Sequence, residues 1–460
     1  MDTNLRSAYD ACLELLDDAV HLLSLSLKSL RTSTPSNKHT FADVMTWLSA
    51  ASTDHDTCTE GFQDLEDGYV KGRIEELLKD LPRLVANSLD LFSLSSKSSE
   101  KQSGGYFNGN LNDNGRSRNG TGSIKTREWR FLNMSLASLV PHIVVSKLGT
   151  GTFRTITEAI NAVPDRSSMR TVIYIKAGKY EEQNLEVRSE KTNVVMIGDG
   201  IGKTVITGRK NTKDDHVSTF YTASFVATGA GFMATNITFE NRAGPYKDQA
   251  VALRVSSHRA VFYRCSFLGY QDTLYVLRDV QFFRECEIYG TTDFIFGDSS
   301  VVIQKSNIYT RTPLVGHPTI ITAQNRAGSN DNTGIIIHDS RILPAPEFKQ
   351  SKKILQTYLG RPWANFSRVV YMSCWMDAHI NPQGWIPWST ILNDIVPDTL
   401  FYGEFNNSGP GASVVPRVNW TGYHRITSLE EVQRFTVTQF ILGSAWLPST
   451  GVPFTPGLTD

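Results

Sequence analysis

Asp272 and Asp293 lie 21 residues apart in two segments of similar pattern, and in each segment a cysteine, Cys265 or Cys286, stands seven residues before the aspartate. If each segment is one coil of a stacked structure, the two carboxylates become neighbours, because adjacent strands lie about 4.8 Å apart. Two carboxylates held this close cannot both ionise freely, so the pKa of one should rise while that of the other stays low. Such a pair is typical of acid/base or nucleophilic catalysis.

The carboxylate pair alone leaves two reactions open, glycoside hydrolysis and acyl transfer through an aspartyl nucleophile. Acyl transfer also needs neutral donors aimed at a developing oxyanion. Gln249 and Gln271 are candidates, because a glutamine amide donates hydrogen bonds without carrying a charge. A side-chain ladder along the coils explains either glutamine equally well. Arg361 is the candidate cation that would keep a buried carboxylate ionised and oriented.

Further candidates are aromatic side chains that offer apolar faces to sugar rings, although each alone is better explained as core: Tyr275, Phe296, Trp363 and Trp388. The histidines are scattered, without a His-x-x-x-His or Cys-x-x-Cys pair, so neither a metal nor another cofactor is expected. The G-x-S-x-G elbow of serine hydrolases is also absent.

A β-rich region from about residue 141 must position these candidates. Five of its runs place a small or polar residue shortly before an apolar one, and the marker residues Asn236, Cys265, Cys286, Ser306 and Ser340 give steps of 29, 21, 20 and 34 residues. Such steps suit the coils of a parallel β-helix better than hairpins, because no tight two-residue turn separates the runs. A β-sandwich stays an alternative on pattern alone. Residues 360–460 are expected to cover or extend the last coils.

The preceding part of the chain divides into two regions. Residues 1–94 carry apolar residues at helical spacing and are predicted to be helices. Residues 95–140, rich in Ser, Gly and Asn, are predicted to be a disordered linker and processing region before a catalytic domain at 141–460. Among five cysteines, Cys12 and Cys58 are predicted to form a disulfide, and a second one between Cys265 and Cys286 is left open.

The bulk composition argues against two classes of partner. Forty-six basic residues balance 46 acidic ones, so no global field draws the chain to nucleic acid or to an anionic membrane. No apolar run approaches the roughly 20 residues of a membrane span, and the first residues lack a signal-peptide core, which taken literally predicts a cytosolic protein. Sequons favour a secreted glycoprotein instead, although such triplets are weak evidence singly; they begin at Asn119, Asn133, Asn236, Asn365, Asn406 and Asn419.

Five motifs, in order along the chain, resemble those of the plant pectin methylesterases that carry an N-terminal inhibitor-like pro-region. They are Gly178-Lys-Tyr-Glu-Glu182, Gln249-Ala-Val-Ala-Leu253, Gln271-Asp-Thr-Leu274, Asp293-Phe-Ile-Phe-Gly297 and Leu359-Gly-Arg-Pro-Trp363. The resemblance implies a right-handed parallel β-helix. It also implies hydrolysis, without a metal, of the C6 methyl esters of galacturonate in pectin, which gives pectate and methanol in cell wall modification.

The resemblance also implies roles for the candidate residues. Asp293 matches the nucleophile, and Asp272 the general acid that then becomes the base. Gln249 and Gln271 match the oxyanion donors, and Arg361 the residue that positions the nucleophile. The substrate cleft would be lined by Tyr275, Phe296, Trp363 and Trp388. Asp293 is therefore expected to be ionised and Asp272 protonated.

The N-terminal region resembles the later part of the inhibitor fold, through Asp43–Ala50 and Asp56–Phe62, so its earliest helices are expected to be missing. The resemblance alone implies secretion to the cell wall and a proteinaceous inhibitor as a further partner of a monomeric enzyme. The dibasic processing site common in relatives is absent from Thr126–Leu132.

Three residues depart from the family pattern in the catalytic domain: Leu148, where aspartate is common, Leu277, where histidine is common, and Asp298, where asparagine is usual. Asp298 stands five residues after Asp293, so its carboxylate would shift the titration of Asp293 if it points inward.

Two rival functions remain at this level. A β-helical polygalacturonase or pectate lyase is the enzyme alternative, although a lyase needs a calcium site and the sequence has no dense acidic cluster for one. The other is a pectin-binding or inhibitory protein with a dead site, against which the intact Asp272, Asp293 and Arg361 argue.

Overall fold

A helical N-terminal region and a stacked β-structure make up the described part of the chain. The computed structural model describes residues 3–32, 38–63, 65, 68–102, 139–349, 356–389 and 396–458. The segment Thr126–Leu132 and the sequons at Asn119 and Asn133 lie outside these ranges. Among the helices that the structure describes, none is long and apolar enough to cross a membrane.

The N-terminal helical region consists of α1 (Thr3–Thr32), α2 (Lys38–Glu60), α3 (Tyr69–Leu78) and α4 (Leu81–Gln102). Its first helix buries a stripe at helical spacing, formed by Ala8, Ala11, Cys12, Leu15, Ala19 and Leu22. A disulfide joins Cys12 of α1 to Cys58 of α2. The last helix continues to Gln102, eight residues into the segment predicted as linker, because the chain has no glycine or proline between Pro82 and Gly104 to stop it.

In the described residues, the β-structure is built from short strands with short α-helices between or after them. The strands are β1 (Ile143–Val145), β2 (Thr171–Ile175), β3 (Gly178–Glu181), β4 (Glu186–Val187), β5 (Val194–Gly198), β6 (Thr204–Gly208), β7 (Phe225–Ala227), β8 (Met233–Thr235), β9 (Thr238–Asn241), β10 (Leu253–Val255), β11 (Ala260–Tyr263), β12 (Ser266–Leu268), β13 (Leu274–Val276), β14 (Val280–Arg284), β15 (Glu287–Gly290), β16 (Ile295–Gly297), β17 (Ser300–Gln304), β18 (Asn307–Thr310), β19 (Thr319–Gln324), β20 (Gly334–His338), β21 (Arg341–Pro344), β22 (Thr357–Pro362), β23 (Arg368–Met372), β24 (Trp375–Met376), β25 (Phe401–Phe405) and β26 (Tyr423–Arg425). The helices are α5 (Ile156–Asn161), α6 (Thr212–Asp215), α7 (Pro346–Lys349), α8 (Leu429–Gln433), α9 (Val437–Phe440) and α10 (Gly443–Trp446).

The strands form three parallel sheets that run side by side along the stack. Sheet A has the order β1-β2-β5-β8-β11-β14-β17-β20-β23-β25-β26, sheet B the order β3-β6-β9-β12-β15-β18-β21-β24, and sheet C the order β4-β7-β10-β13-β16-β19-β22. In the central coils each turn of the chain contributes one strand to each sheet, so the fold is a parallel β-helix, as predicted, and not a β-sandwich.

The register of the coils confirms most of the markers read from the sequence and corrects one. Tyr263 pairs with Arg284, so Cys265 follows in step with Cys286. However, Thr235 pairs with Tyr263, which aligns Asn236 with Arg264 and places Ile237 beside Cys265. Asn236 is the left-handed turn residue of its coil, with φ 59°, and not the inward-facing residue that follows it.

Two apolar layers hold the β-helix together. Its interior contains a column of fully buried phenylalanine rings from consecutive coils, namely Phe225, Phe232, Phe239, Phe262, Phe267 and Phe283. The outer face of sheet A is covered by the C-terminal helices, through Val432, Phe435, Val437, Phe440 and Trp446. The C-terminal stretch therefore both extends the coils, through β22–β26, and covers them, through α8–α10, as expected from the sequence.

The second disulfide is absent, because Cys265 and Cys286 are both free, buried thiols. Side chains in register on parallel coils point the same way and stay about 4.8 Å apart, whereas a disulfide needs Cβ atoms that converge to about 3.8 Å. Each thiol instead donates to a backbone carbonyl, Cys265 to Tyr263 at 3.6 Å and Cys286 to Phe262 at 3.5 Å. Burial raises the pKa of both thiols, that of Cys265 to about 12.

Candidate active site

Asp272 and Asp293 stand at the same corner of two adjacent coils, immediately before β13 and β16 of sheet C. The backbone N–H of Asp272 donates to Thr292 O at 3.0 Å, which ties the two corners together. Both aspartates adopt the left-handed conformation, with φ 60° and 51°. Non-glycine residues in this region carry strain, and the surrounding ladder must hold them there.

Glycines in the neighbouring motifs keep these corners tight. At Gly297, with φ 126°, an added Cβ would lie 2.2 Å from Val276 O on the coil of Asp272. At Gly360, beside Arg361, it would lie 2.2 Å from Thr322 Oγ1. Both motifs therefore need glycine so that adjacent coils can approach closely.

Arg361 reaches Asp293 from β22, two strands away in sheet C. The intervening strand β19 places the small Ala323 in register with both Phe296 and Arg361. Arg361 Nε donates to Asp293 Oδ1 at 2.9 Å, and its Nη2 donates to Oδ2. The guanidinium also lies 4.1 Å from the ring centre of Trp388 and donates from Nη1 to Trp388 O at 2.9 Å.

The two carboxyls differ in whether a neighbouring group counteracts the effect of burial on their pKa. Burial raises the pKa of Asp272 well above its usual range, and the charge of Asp293 raises it further. Burial also raises the pKa of Asp293, but the charge and hydrogen bonds of Arg361 pull it back. The expectation that the pKa of Asp293 stays low was therefore wrong, because its side chain is only 7% exposed. The order of the two groups is nevertheless the expected one, with Asp293 the easier to ionise.

The candidate oxyanion donors come from two neighbouring coils. Gln249 Oε1 accepts a hydrogen bond from Thr212 Oγ1 at 2.8 Å, so its amide nitrogen is the end left to donate. The backbone N–H of Ala250 donates to Gln271 O at 3.3 Å, which places the two glutamine segments side by side.

The four candidate aromatic residues form one continuous series of rings. Tyr275 stacks on Phe296 at 4.2 Å between ring centres, Phe296 lies 6.0 Å from Trp363, and Trp363 stacks on Trp388 at 6.3 Å. Trp388 is 38% exposed, whereas Tyr275 and Phe296 are each only 3% exposed.

The N-terminal helical region covers the buried end of this series. Cys12, Leu15 and Phe62 belong to the same apolar cluster as Tyr275 and Phe296. In this structure the candidate site therefore lies beneath the first helix and the end of the second.

Comparison with known proteins decides the family. The family model for pectinesterase matches residues 142–444, which hold the whole constellation just described.

The chain belongs to the pectinesterase family.

A second family model, plant invertase/pectin methylesterase inhibitor, matches residues 1–91. Probable pectinesterase/pectinesterase inhibitor 61 of Arabidopsis thaliana is 50% identical over 100% of this chain and 78% of its own length. A pectin methylesterase from carrot covers 70% of this chain and 99% of its own, with 46% identity and a TM-score of 0.67. One from Aspergillus niger covers 67% of this chain and 96% of its own, with 29% identity and a TM-score of 0.57.

Membership in the pectinesterase family makes the chain a carboxylic ester hydrolase and decides against the glycosidase and lyase alternatives. It also confirms the two-part resemblance, a pectinesterase with an inhibitor-like N-terminal region.

Two residues that depart from the pectinesterase pattern serve the contact with the N-terminal helical region. Asp298 is buried, but it accepts hydrogen bonds from Thr53 at 2.7 Å, from Gln324 at 2.8 Å and from Thr333. The pKa of Asp293 responds to burial and Arg361, and Asp298 is not among its causes. Leu277 joins the apolar cluster with α1. Leu148 is 89% exposed, and nothing in the structure explains it.

Sequence reasoning missed Arg254, which is 3% exposed beside this series of rings. Arg254 pairs in register with Tyr275, and Tyr275 pairs with Phe296. The three residues are spaced by 21, the same step that brought the two aspartates together, so the signal was present in the sequence.

Proposed function

We propose that the chain hydrolyses the C6 methyl esters of galacturonate in pectin through Asp293 as nucleophile and Asp272 as general acid and base. The observation that carries this mechanism is the asymmetric pair: one buried carboxyl is held by a paired guanidinium and its neighbour is not. Ionised Asp293 attacks the ester carbonyl and forms an acyl-enzyme. The amides of Gln249 and Gln271 stabilise the oxyanion that develops.

Asp272 completes the cycle. Its raised pKa keeps a proton available, which it donates to the departing methanol oxygen. The resulting carboxylate then takes a proton from water as the water attacks the acyl-enzyme, which releases pectate and restores both groups. Arg361 positions Asp293 and keeps it ionised, and the aromatic series offers stacking faces to the sugar rings.

The test is methanol release from highly esterified pectin. Asp293→Asn should lower kcat by at least about 10³-fold, since it removes the nucleophile, and Asp272→Asn by a comparable factor. Arg341→Gln is the control, because Arg341 also lies over a tryptophan ring, Trp375, but on sheet B, whereas the aspartate pair and Arg361 lie at sheet C. Unchanged activity in Asp293→Asn would contradict the mechanism.

We further propose that the N-terminal helical region inhibits the enzyme from within the same chain. It is similar to pectin methylesterase inhibitors and covers Tyr275 and Phe296, so pectin and α1 compete for one surface. A protease site introduced between residues 103 and 138, and cleaved after folding, should raise methanol release several-fold once the helical region is removed. Equal activity before and after removal would refute this role.

We place the enzyme's action outside the cell, at the plant cell wall where pectin lies. The disulfide between Cys12 and Cys58 supports an oxidising compartment. The sequon asparagines Asn365, Asn406 and Asn419 are exposed, as glycosylation requires, whereas Asn236 is partly buried in a coil turn. Fractionation of plant cells, with a glycosidase-induced shift in mass, tests this placement.

A further inference from the structure

Arg254 is a buried arginine whose hydrogen-bonding capacity is largely unused. Its Nε and Nη1 have no hydrogen-bond partner among the described residues. A guanidinium is always charged, and leaving its N–H groups buried and unpaired is costly. Such a group indicates a binding site for an anionic partner, and the contacts described here occupy that site only in part.

The place of Arg254 in the fold links it to the active site. Sheet C carries one row of in-register residues along the helix axis: Glu186, Val226, Arg254, Tyr275, Phe296, Ala323 and Arg361. Arg254 therefore stands one strand beyond the Tyr275–Phe296 stack, and about 10 Å along the axis from the coil of Asp293. A polysaccharide chain stacked on these rings and continuing along the row reaches Arg254.

The surroundings of Arg254 already bind a carboxylate. Its Nη2 lies 3.4 Å from Glu14 Oε1 of α1, and the hydroxyl of Tyr221 donates to Glu14 Oε2 at 3.3 Å. The Phe220 ring lies flat under the guanidinium, with the ring centre 3.2 Å from its carbon. Each oxygen of one carboxylate thus meets its own donor, and the aromatic ring fixes the plane of the guanidinium.

We propose that Arg254, Tyr221 and Phe220 form a subsite for the free carboxylate of a galacturonate that has already lost its methyl ester, and that Glu14 occupies this subsite when the N-terminal helical region is docked. The inference rests on the proposed function, because the occupant is part of the same pectin chain. A methyl ester carries no charge and cannot balance the guanidinium, so the subsite distinguishes de-esterified from esterified sugar. Glu186 lies two strands beyond Arg254 in the same row; burial raises its pKa and the charge of Arg254 opposes that rise, so a carboxylate already stands at this end of the row.

The first experiment measures binding and does not depend on catalysis. After cleavage between residues 103 and 138 and removal of the helical region, trigalacturonate binding is measured by calorimetry. Arg254→Gln should weaken it about tenfold or more, and Arg254→Lys should recover part of the loss, since the charge returns without the paired geometry. Arg264→Gln is the matched control, because Arg264 also lies over a tyrosine and pairs with a glutamate, but at 58% exposure on another corner.

The second experiment measures methanol release from two homogalacturonans of equal length, one fully and one half esterified. The cleaved protein should favour the half-esterified polymer in kcat/KM, and Arg254→Gln should reduce that ratio towards one. Tyr221→Phe, which keeps the ring and removes one donor, should reduce the ratio partly; it also serves if Arg254→Gln fails to fold.

The outcomes separate the two proposals. If Arg254→Gln folds and keeps both the trigalacturonate affinity and the substrate ratio, the subsite is wrong. If the cleaved protein releases no methanol but binds trigalacturonate through Arg254, the subsite stands and the proposed function fails. In the uncleaved chain, Glu14→Gln should restore trigalacturonate binding and Asp17→Asn, at an exposed position of the same helix, should not. Binding to the uncleaved wild type equal to that of the cleaved form would also overturn the assignment.

Discussion

At the scale of single residues, one guanidinium distinguishes the two buried carboxyls from each other. Burial raises the pKa of both Asp272 and Asp293, and only Asp293 has a cation bonded to both of its oxygens. Charge-assisted paired bonds of this kind favour the ionised form and fix its orientation. In the proposed mechanism, the chemical roles of the two aspartates therefore depend on a third residue, Arg361 of β22.

The pH dependence of the Arg361→Gln variant tests whether Arg361 keeps Asp293 ionised. Without the guanidinium the pKa of Asp293 rises further, so less of it is ionised at acidic pH and the acid limb of kcat/KM moves to higher pH. The lost charged hydrogen bonds should also lower kcat by roughly 10- to 100-fold. Arg341→Gln, the control, should keep the wild-type profile. An unmoved acid limb in Arg361→Gln would mean that Arg361 does not act through Asp293.

Asp298→Asn should leave the acid limb of the kcat/KM profile at its wild-type pH. Asp298 is near Asp293 in sequence, but its hydrogen bonds go to Thr53, Gln324 and Thr333. Asparagine keeps a polar side chain of the same size there. Arg361→Gln, measured in the same titration, shows the shift that a true neighbour produces. A comparable shift in Asp298→Asn would contradict the separation of the two groups.

The candidate residues found from the sequence and the one that was overlooked differ in how much their residue type reveals. Asp272, Asp293, Gln249, Gln271 and Arg361 stood out because their types suit acyl transfer. Arg254 obeys the same 21-residue step, yet an arginine in a strand suggests nothing until its partners are known. Those partners, Glu14 and Tyr221, lie 240 and 33 positions away in sequence, which periodicity cannot bridge.

At the scale of elements, the coils are predictable in period but not in the exact turn residue. Most coils place a left-handed residue directly before the inward-facing one, as in Arg264 before Cys265 and Glu285 before Cys286. In the coil of Asn236 the inward-facing position holds Ile237, which is neither small nor polar, so the marker fell on the turn residue one position early. Side-chain direction, and not hydropathy, settles this choice.

The disulfide between α1 and α2 should stabilise the N-terminal helical region by about 4 kcal/mol, from the loop entropy of its 46-residue separation. Replacing Cys12 and Cys58 together by serine should therefore increase hydrogen exchange in both helices and leave the β-helix unchanged. Cys286→Ser is the control: Ser306 on the next coil already bonds the carbonyl two residues back, as Cys286 does, so serine fits this position. Unaltered exchange in α1 and α2 of the double variant would contradict the prediction.

At the scale of the whole molecule, the two regions meet through acidic side chains on one side and basic ones on the other. Arg278 Nε donates to Asp54 at 2.6 Å, and the same guanidinium contacts Asp18 and Asp279. Arg259 donates to Asp43 at 2.7 Å. The pairs Arg278–Asp54 and Arg259–Asp43 join residues 224 and 216 positions apart, so the sequence could predict both regions but not the contact between them.

Three carboxyls around one guanidinium cannot all be ionised without an excess of buried negative charge. Asp54 and Asp279 are both buried, with 0% and 1% of their side chains exposed, and burial raises the pKa of Asp54 to about 8. Burial likewise raises the pKa of Glu60, which accepts from Asn325, to about 7. An acid whose pKa is raised on docking contributes stability that is complete below its ordinary pKa and is lost as pH rises through the raised value.

Docking of the N-terminal helical region should therefore weaken as pH rises towards about 7 to 8. His258 acts in the same direction. Burial alone would lower its pKa, but the bonds to Asp279 and Asp43 raise it. The bond to Asp43 crosses the interface and exists only in the docked state, so its stabilisation fades as pH rises through the raised pKa. Asp43 acts oppositely: burial opposes its ionisation, but His258 and Arg259 lower its pKa, so its contribution is lost only in acid. Between mildly acidic and neutral pH, the net pH dependence of docking therefore follows Asp54, Glu60 and His258.

The measurement is the ratio of methanol release by the intact chain to that by the cleaved chain, because this ratio cancels the titration of the catalytic pair. It should rise about tenfold or more between pH 6 and pH 8 in the wild type. Asp54→Asn, which never ionises, should keep the helical region docked to higher pH and flatten the rise. Asp17→Asn, which removes an exposed carboxylate of α1, should follow the wild type. A ratio independent of pH, or one that Asp54→Asn leaves unchanged, would show that the buried carboxyls of the interface do not control docking.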